Sequence, residues 1–215
     1  MTSLTRKVSH PVLGDLLAGD GAAIWLKRAA LVLVGIAALA IAAKIKVPLW
    51  PSPVPVTLGT FAVLTIGAAY GPGLGLATIL GYLLIGAAGA DVFASSSAEY
   101  NGLAYMLAGS GGYLAGYVLA TLALGVFARM AWDRNVPRMA LGLLLGNALI
   151  YVPGLLWLQH WIATEGRFDA TAYGSIWEQT LAWGLTPFLV GDALKLALAA
   201  LLLPAVWALV GRARG

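Results

Sequence analysis

Apolar stretches bounded by proline, glycine or charge run through the chain at about 28–44, 56–71, 73–90, 102–128, 138–158 and 185–209. Each approaches the ~20 residues that a helical crossing of a bilayer needs. Between the second and third stand only Gly71, Pro72 and Gly73, which leaves room for a tight reversal between antiparallel helices and nothing else. Those two stretches are expected to be tilted or slightly short. Residues 1–27 hold charges and Pro11 but no apolar run followed by a small-residue cleavage site, so no removable signal peptide is expected. Within that leader, Leu13 to Trp25 reads as a short helix at the membrane surface. The pattern predicts an all-α membrane protein, six transmembrane helices forming one integral membrane domain over 1–215 with no soluble module.

Small residues recur at helix-packing spacing: Gly67, Gly71 and Gly75, then Ala77 and Gly81, Gly112 and Gly116, Gly142 and Gly146. Such spacing lets helix backbones approach closely in a membrane, so most of these positions are expected to close the bundle. Ala38 and Ala42 share the spacing in the alanine-rich first helix, where they are expected to form an outward docking face for another membrane protein.

Composition settles the solvent. The chain is 60% hydrophobic and 10% charged over 215 residues, which the surface of a water-soluble domain of this size does not tolerate. Basic residues set the orientation. With the N-terminus cytoplasmic, that side receives Arg6, Lys7, Lys27, Arg28, Arg129, Arg134, Arg138, Arg212 and Arg214, and the outside only Lys44, Lys46 and Arg167. Both termini are therefore expected inside, with an even number of spans. The net charge of +4 then reflects topology, and no run of interleaved basic and aromatic residues points to nucleic acid. Without cysteine, thiol chemistry and disulfides are excluded.

The last stretch carries the most informative chemistry. Asp192 and Lys195 lie three residues apart and so on one helix face, in a segment that is otherwise hydrocarbon. A charge at the centre of a spanning helix costs roughly 2.5–3.5 kcal/mol on insertion scales, so the pair either neutralises itself or holds a ligand. Asp192 lies about five residues, or ~7.5 Å, below Pro187 in the outer half of the membrane. Catalytic and metal sites are not expected. His10 and His160 fall at opposite ends of the topology, Ser95 to Ser97 lack a nucleophile-elbow context, and no nucleotide-binding glycine fingerprint occurs.

Several segments resemble one family. Pro187-Phe188-Leu189-Val190-Gly191-Asp192-Ala193-Leu194-Lys195 resembles the P-F-x-x-G-D-x-x-K signature of BioY proteins, the biotin-binding S components of energy-coupling factor (ECF) transporters. Pro53-Val54-Pro55-Val56-Thr57-Leu58 is similar to the family's entry into its second helix. Gly81 to Gly86 with Val92-Phe93-Ala94, Gly111 to Tyr117, and Ile150-Tyr151 with Gly154 and Trp157 resemble the third, fourth and fifth helices. Three positions depart from the pattern: Gly59 replaces a glutamine, Asp91 replaces a proline before V-F-A, and Gly109-Ser110 replaces Pro-Thr.

The resemblance implies an S-component-like bundle in the bacterial inner membrane that takes up biotin without being an enzyme or holding a cofactor. It implies that Asp192 accepts from the ureido N–H groups, while Lys195 donates to the ureido carbonyl or pairs with the acid tail. Tyr113 and Tyr151 then either cover the ring or anchor at the interface, Asn101 bonds ligand or caps a helix, and Thr57 lines the site or bonds its own helix. Asn147, one turn before Tyr151, is expected to bridge helices. The implied partners are an ECF T component and two ATP-binding subunits, with self-association left open. Two rival readings remain: an S component for another vitamin such as riboflavin or thiamine, and an intramembrane enzyme using Asp192 beside Lys195.

Overall fold

The computed structural model describes residues 9–18, 21, 23–47 and 56–214, and these are helical almost throughout. Helix α1 (Leu13–Ala18) precedes α2 (Ile24–Lys44), and a two-residue antiparallel ladder of β1 (Lys46–Val47) and β2 (Val56–Thr57) leads into α3 (Gly59–Ala87). There follow α4 (Gly102–Leu107), α5 (Gly111–Arg129), α6 (Val136–Thr164), α7 (Ile176–Gly184) and α8 (Leu189–Arg214), with 3₁₀ turns at Trp132–Arg134 and Thr186–Phe188. Pro53 to Pro55 of the sequence motif and Arg6 and Lys7 of the charge bias lie outside the described residues.

Among the described residues, the helical stretches long and apolar enough to cross a membrane number five: Ile24–Lys44, Gly59–Ala87, Gly111–Arg129, Val136–Thr164 and Ile176–Arg212. The expected spans 56–71 and 73–90 therefore share one helical run, α3. That run is not straight. Gly71 adopts φ 74° and ψ 178°, a conformation essentially confined to glycine. A methyl group placed on Gly75 would lie 3.6 Å from the Cα of Gly67, whereas eight residues of straight helix separate two positions by ~12 Å. The chain folds back at Gly71, and Pro72 suits the first turn of the returning arm because it has no N–H to leave unpaired.

Other boundaries shift for local reasons. The expected span 102–128 is broken at Gly109 and Ser110, so α4 ends at Leu107 and α5 starts at Gly111. Of the expected surface helix from Leu13 to Trp25, the described residues show α1 over Leu13–Ala18, and Ile24 and Trp25 belong to α2. Part of the expected outer loop before Pro187 is helical. The Ser175 hydroxyl caps α7 by accepting from the Glu178 N–H at 3.1 Å, and the Glu178 carboxylate accepts from the Gly174 N–H at 2.8 Å.

Helix α5 is the hub, and small residues bring its neighbours close. A methyl on Gly67 or Gly75 would sit 3.0 Å from Thr121, and one on Gly116 would sit 2.7 Å from the Cα of Ile150 in α6. The leader closes the end of the bundle that carries Arg129 and Arg134. Val12 is fully buried there beside Gly71. The His10 N–H donates to the Arg129 carbonyl at 3.0 Å, Arg129 donates back to the His10 carbonyl and pairs with Asp15, and Arg134 donates to the Pro11 carbonyl at 2.9 Å. At the opposite end Phe93 fills the space above Gly86, stacked on Tyr105 at 5.1 Å and edge-on to Tyr82 at 5.4 Å. Lys44 and Asp91 form an ion pair at 2.5 Å beside it, with the Ser96 hydroxyl donating to Asp91. Asp91, which replaces the family proline, thus ties the end of α2 to the loop after α3.

Candidate functional site

Pro187 lies in the 3₁₀ turn that launches α8, and Gly191 allows the new helix to lie against β2, where an added methyl would be 2.9 Å from a Val56 methyl. This packing carries the first turn of α8 into the bundle. Asp192 sits in that first turn, where the unpaired N–H groups of the helix start favour a carboxylate. Lys195 follows one turn on, and both side chains are buried, with 5% and 10% of their surface exposed.

The pair is fully engaged. Lys195 Nζ donates to Asp192 Oδ1 at 2.8 Å and to Thr60 Oγ1 at 3.1 Å. The Thr60 hydroxyl in turn reaches Asp192 Oδ1 at 3.4 Å, and the Tyr151 hydroxyl donates to Asp192 Oδ2 at 2.6 Å. Three elements that are distant in sequence, α3, α6 and α8, therefore converge on one carboxylate. Buried charges persist where partners satisfy them, and here a cation, a hydroxyl from each of two helices and a helix start do so.

An aromatic wall adjoins the cluster. Tyr113 meets Tyr151 edge-to-face with ring centroids 6.1 Å apart, and its hydroxyl donates to the Gly184 carbonyl at the end of α7 at 2.9 Å. Gly154 makes room for it, since a methyl there would run into the Tyr113 ring. Tyr117, one turn further along α5, directs its hydroxyl towards Gly59, 3.5 Å from where a side chain on that glycine would begin. Thr57 and Lys195 both line a cavity of about 340 Å³ between β2 and α8.

The structure thus brings Asp192, Lys195, Tyr151, Tyr113 and Thr57 to one region. The Thr57 hydroxyl accepts from the Gly59 N–H at 3.3 Å, from a strand and not from within a helix. Asn101 spends its amide on the loop, donating to the Ser97 and Ala98 carbonyls at 2.9 and 3.0 Å, and it makes no side-chain cap to α4. Asn147 buries its Oδ1 with no partner among the described residues, so the expected bridge is not made by that atom. Of the alanine pair on α2, Ala38 is exposed and Ala42 is buried in the core. Two contributors are not among the site candidates read from the sequence: Thr60, which carries no signal of its own there, and Tyr117, which closes the segment from Gly111 that resembles the family's fourth helix.

The family profile of BioY matches residues 11–212, nearly the whole chain. This chain belongs to the BioY family. A BioY relative from Pyrococcus horikoshii, described as a probable biotin transporter, is 32% identical over 82% of this chain and 93% of its own length. The Thermotoga maritima biotin transporter BioY is 31% identical over 77% and 87%, and the putative biotin transporter BioYB of Bacillus subtilis is 29% identical over 93% of each. In fold, the BioY chain is similar to the crystal structure of the S-component for biotin from an ECF-type ABC transporter, with a TM-score of 0.68. That similarity covers 88% of this chain and 95% of the other at 19% sequence identity. BioY membership makes the Asp192–Lys195 cluster part of a transporter and not of an enzyme.

Proposed function

We propose that this protein captures biotin from outside the cell and delivers it inward as the S component of an ECF-type transporter. The observation that carries the reading is the buried Asp192–Lys195 cluster, held by Tyr151 and Thr60 in a chain of the BioY family. A ureido ring offers two N–H donors and a carbonyl, the complement of a carboxylate beside an ammonium. Asp192 accepts from the ring N–H groups, and Lys195 donates to its carbonyl once the resting ion pair opens. Tyr113 and Tyr151 cover the ring, and Thr57 lines the approach. Asn101 ties its own loop together by donating to the Ser97 and Ala98 carbonyls.

The proposed topology has six crossings, counting the two arms of α3 separately, with both termini cytoplasmic. The charge bias supports it, because Arg129, Arg134 and Arg138 gather at the leader end and Lys44 lies at the other. Energy comes from partners, a T component and two ATP-binding subunits. The exposed face of α2 around Ala38, where Leu33, Val34 and Ile41 are also exposed, supplies an apolar surface for that assembly.

Calorimetry on the purified protein tests the reading, with biotin, riboflavin and thiamine as ligands and Asp192→Asn as the variant. Biotin-selective binding is expected, weakened about ten- to a hundred-fold by Asp192→Asn, since a hydrogen bond to a charged group contributes roughly 1.5–3 kcal/mol. Absence of biotin binding by folded wild-type protein would overturn the proposal.

A further inference from the structure

Asn147 Oδ1 is buried with no partner among the described residues, a costly state for an amide oxygen inside a helical bundle. Helix geometry says what surrounds it. Helices α6 and α8 run antiparallel, because Trp207 donates to Asp133 in the turn before α6, while Tyr151 of α6 donates to Asp192 at the start of α8. From the Tyr151–Asp192 contact, Asn147 lies one turn, ~6 Å, towards the leader end along α6, and Lys195 lies ~4.5 Å towards the same end along α8. Asn147 and Tyr151, four residues apart, share a side of α6. The third wall is α3. A methyl on Gly146 would lie 2.8 Å from Leu64 Cδ2, and Leu64 follows Thr60, the second acceptor of Lys195, by one helical turn. The unpartnered amide oxygen and the ammonium therefore stand at one level between α3, α6 and α8.

An ammonium has three N–H groups, and Lys195 commits them to Asp192 at 2.8 Å and Thr60 at 3.1 Å. A ligand that takes Asp192 displaces the ammonium from its carboxylate, and a buried cation short of an acceptor is strongly disfavoured. We propose that Asn147 is a positioning residue for Lys195: when biotin takes Asp192, the ammonium turns inward and donates to Asn147 Oδ1. This rests on the biotin reading above and supplies the step that opens the resting ion pair. The flexible four-carbon stem of lysine allows the turn without movement of α8. The exchange balances. Asp192 trades the ammonium for ring N–H groups, and Lys195 trades the carboxylate for the ring carbonyl and the amide oxygen, with Thr60 kept throughout. Without the amide oxygen the ion pair recloses and competes with the ligand for Asp192.

A double-mutant cycle on the purified full-length protein provides the test, with biotin affinity read by calorimetry for wild type, Asn147→Leu, Lys195→Met and the double variant. Leucine keeps nearly the same volume and removes the acceptor. Asn147→Leu is expected to weaken biotin about ten-fold or more in the wild-type background, and less than about two-fold once Lys195 is methionine. Equal weakening in both backgrounds would mean that Asn147 acts on the ligand or on packing, and the inference would be wrong. Unchanged affinity of Asn147→Leu would overturn it too. Thermal unfolding without ligand is the second readout, and it decides where Lys195→Met binds too weakly for the cycle. Asn147→Leu is expected to keep the wild-type Tm or raise it, because the oxygen it removes has no partner in the resting state. A lowered Tm would show that oxygen engaged before any ligand arrives, against the proposal. Failure of wild-type protein to bind biotin would remove the reading beneath, and is distinguishable because it needs no variant.

Discussion

Asp192 owes its place in the membrane to several modest contributions. The start of α8 supplies oriented N–H groups, Lys195 supplies the opposite charge, and Thr60 and Tyr151 complete the acceptor demand of the carboxylate. The Tyr151 hydroxyl is the contact whose removal least disturbs packing, so Tyr151→Phe isolates it. Biotin affinity of that variant, read by calorimetry, is expected to fall about ten-fold with the protein still folded. That Asp192 and Lys195 share one face of the last helix was legible in the sequence, because charges three apart in an apolar run stand out, whereas the place of Tyr151 beside them was left open between ring cover and interfacial anchor. Thr60 was not legible. Its role depends on a contact 132 residues away in sequence, which no local spacing encodes. A second carboxylate tells a different story at the leader end. Asp133 is fully buried, accepts from the Trp207 indole and leaves Oδ1 without a partner among the described residues. Burial holds its carboxyl above the ordinary value of 3.8, against the Trp207 hydrogen bond and the nearby Arg134. The folded state therefore keeps its proton more readily than the unfolded state, and stability falls as pH rises from about that value. Asp133→Asn is expected to raise Tm at pH 7 by ~2–4 °C, the shift that about 1 kcal/mol produces in a chain of this size. The gap should close as pH is lowered towards 4, which a pH series of thermal melts checks.

Among the elements, α3 shows how a short motif overrides helix continuity. Gly71 and Pro72 are both helix breakers in principle, but the reversal also needs a backbone conformation that only glycine reaches, and Val12 packs directly beneath it. Gly71→Ala is expected to lose about 1–3 kcal/mol of stability, visible as a lowered midpoint in thermal unfolding. The glycine-proline-glycine run makes this turn legible from the chain alone. The break between α4 and α5 was less so, because Gly109 and Ser110 interrupt an apolar stretch without a proline or a charge. Helix α7 is hidden for a different reason. Its capping residues, Ser175 and Glu178, are plain in the sequence, but its apolar content is too low to stand out among candidate spans.

At the scale of the molecule, the charge bias and the two-armed α3 lead to the same topology, and the native absence of cysteine makes it directly testable. Gly73 and Glu99 are both exposed, on either side of the second arm. Single cysteines at these positions are expected to react with an impermeant maleimide from opposite faces, Gly73→Cys from the cytoplasm and Glu99→Cys from outside. A straight α3 would instead bury position 73 in the bilayer and leave it unlabelled. The first arm, residues 59–70, is only twelve residues long by the boundaries of α3 and Gly71, and none of its side chains is exposed. At ~1.5 Å per residue it is ~18 Å long, well short of a hydrocarbon core of ~30 Å. Neighbouring helices cover much of the arm and offset that shortfall, since half of its residues are buried and the rest half-buried. During synthesis, however, such a segment cannot dwell in the bilayer alone. It has to enter together with its returning partner and wait for α5 to pack against it, and Thr60 meets Asp192 and Lys195 only once α8 has been made, so assembly of the pocket is bound to the arrival of the last helix.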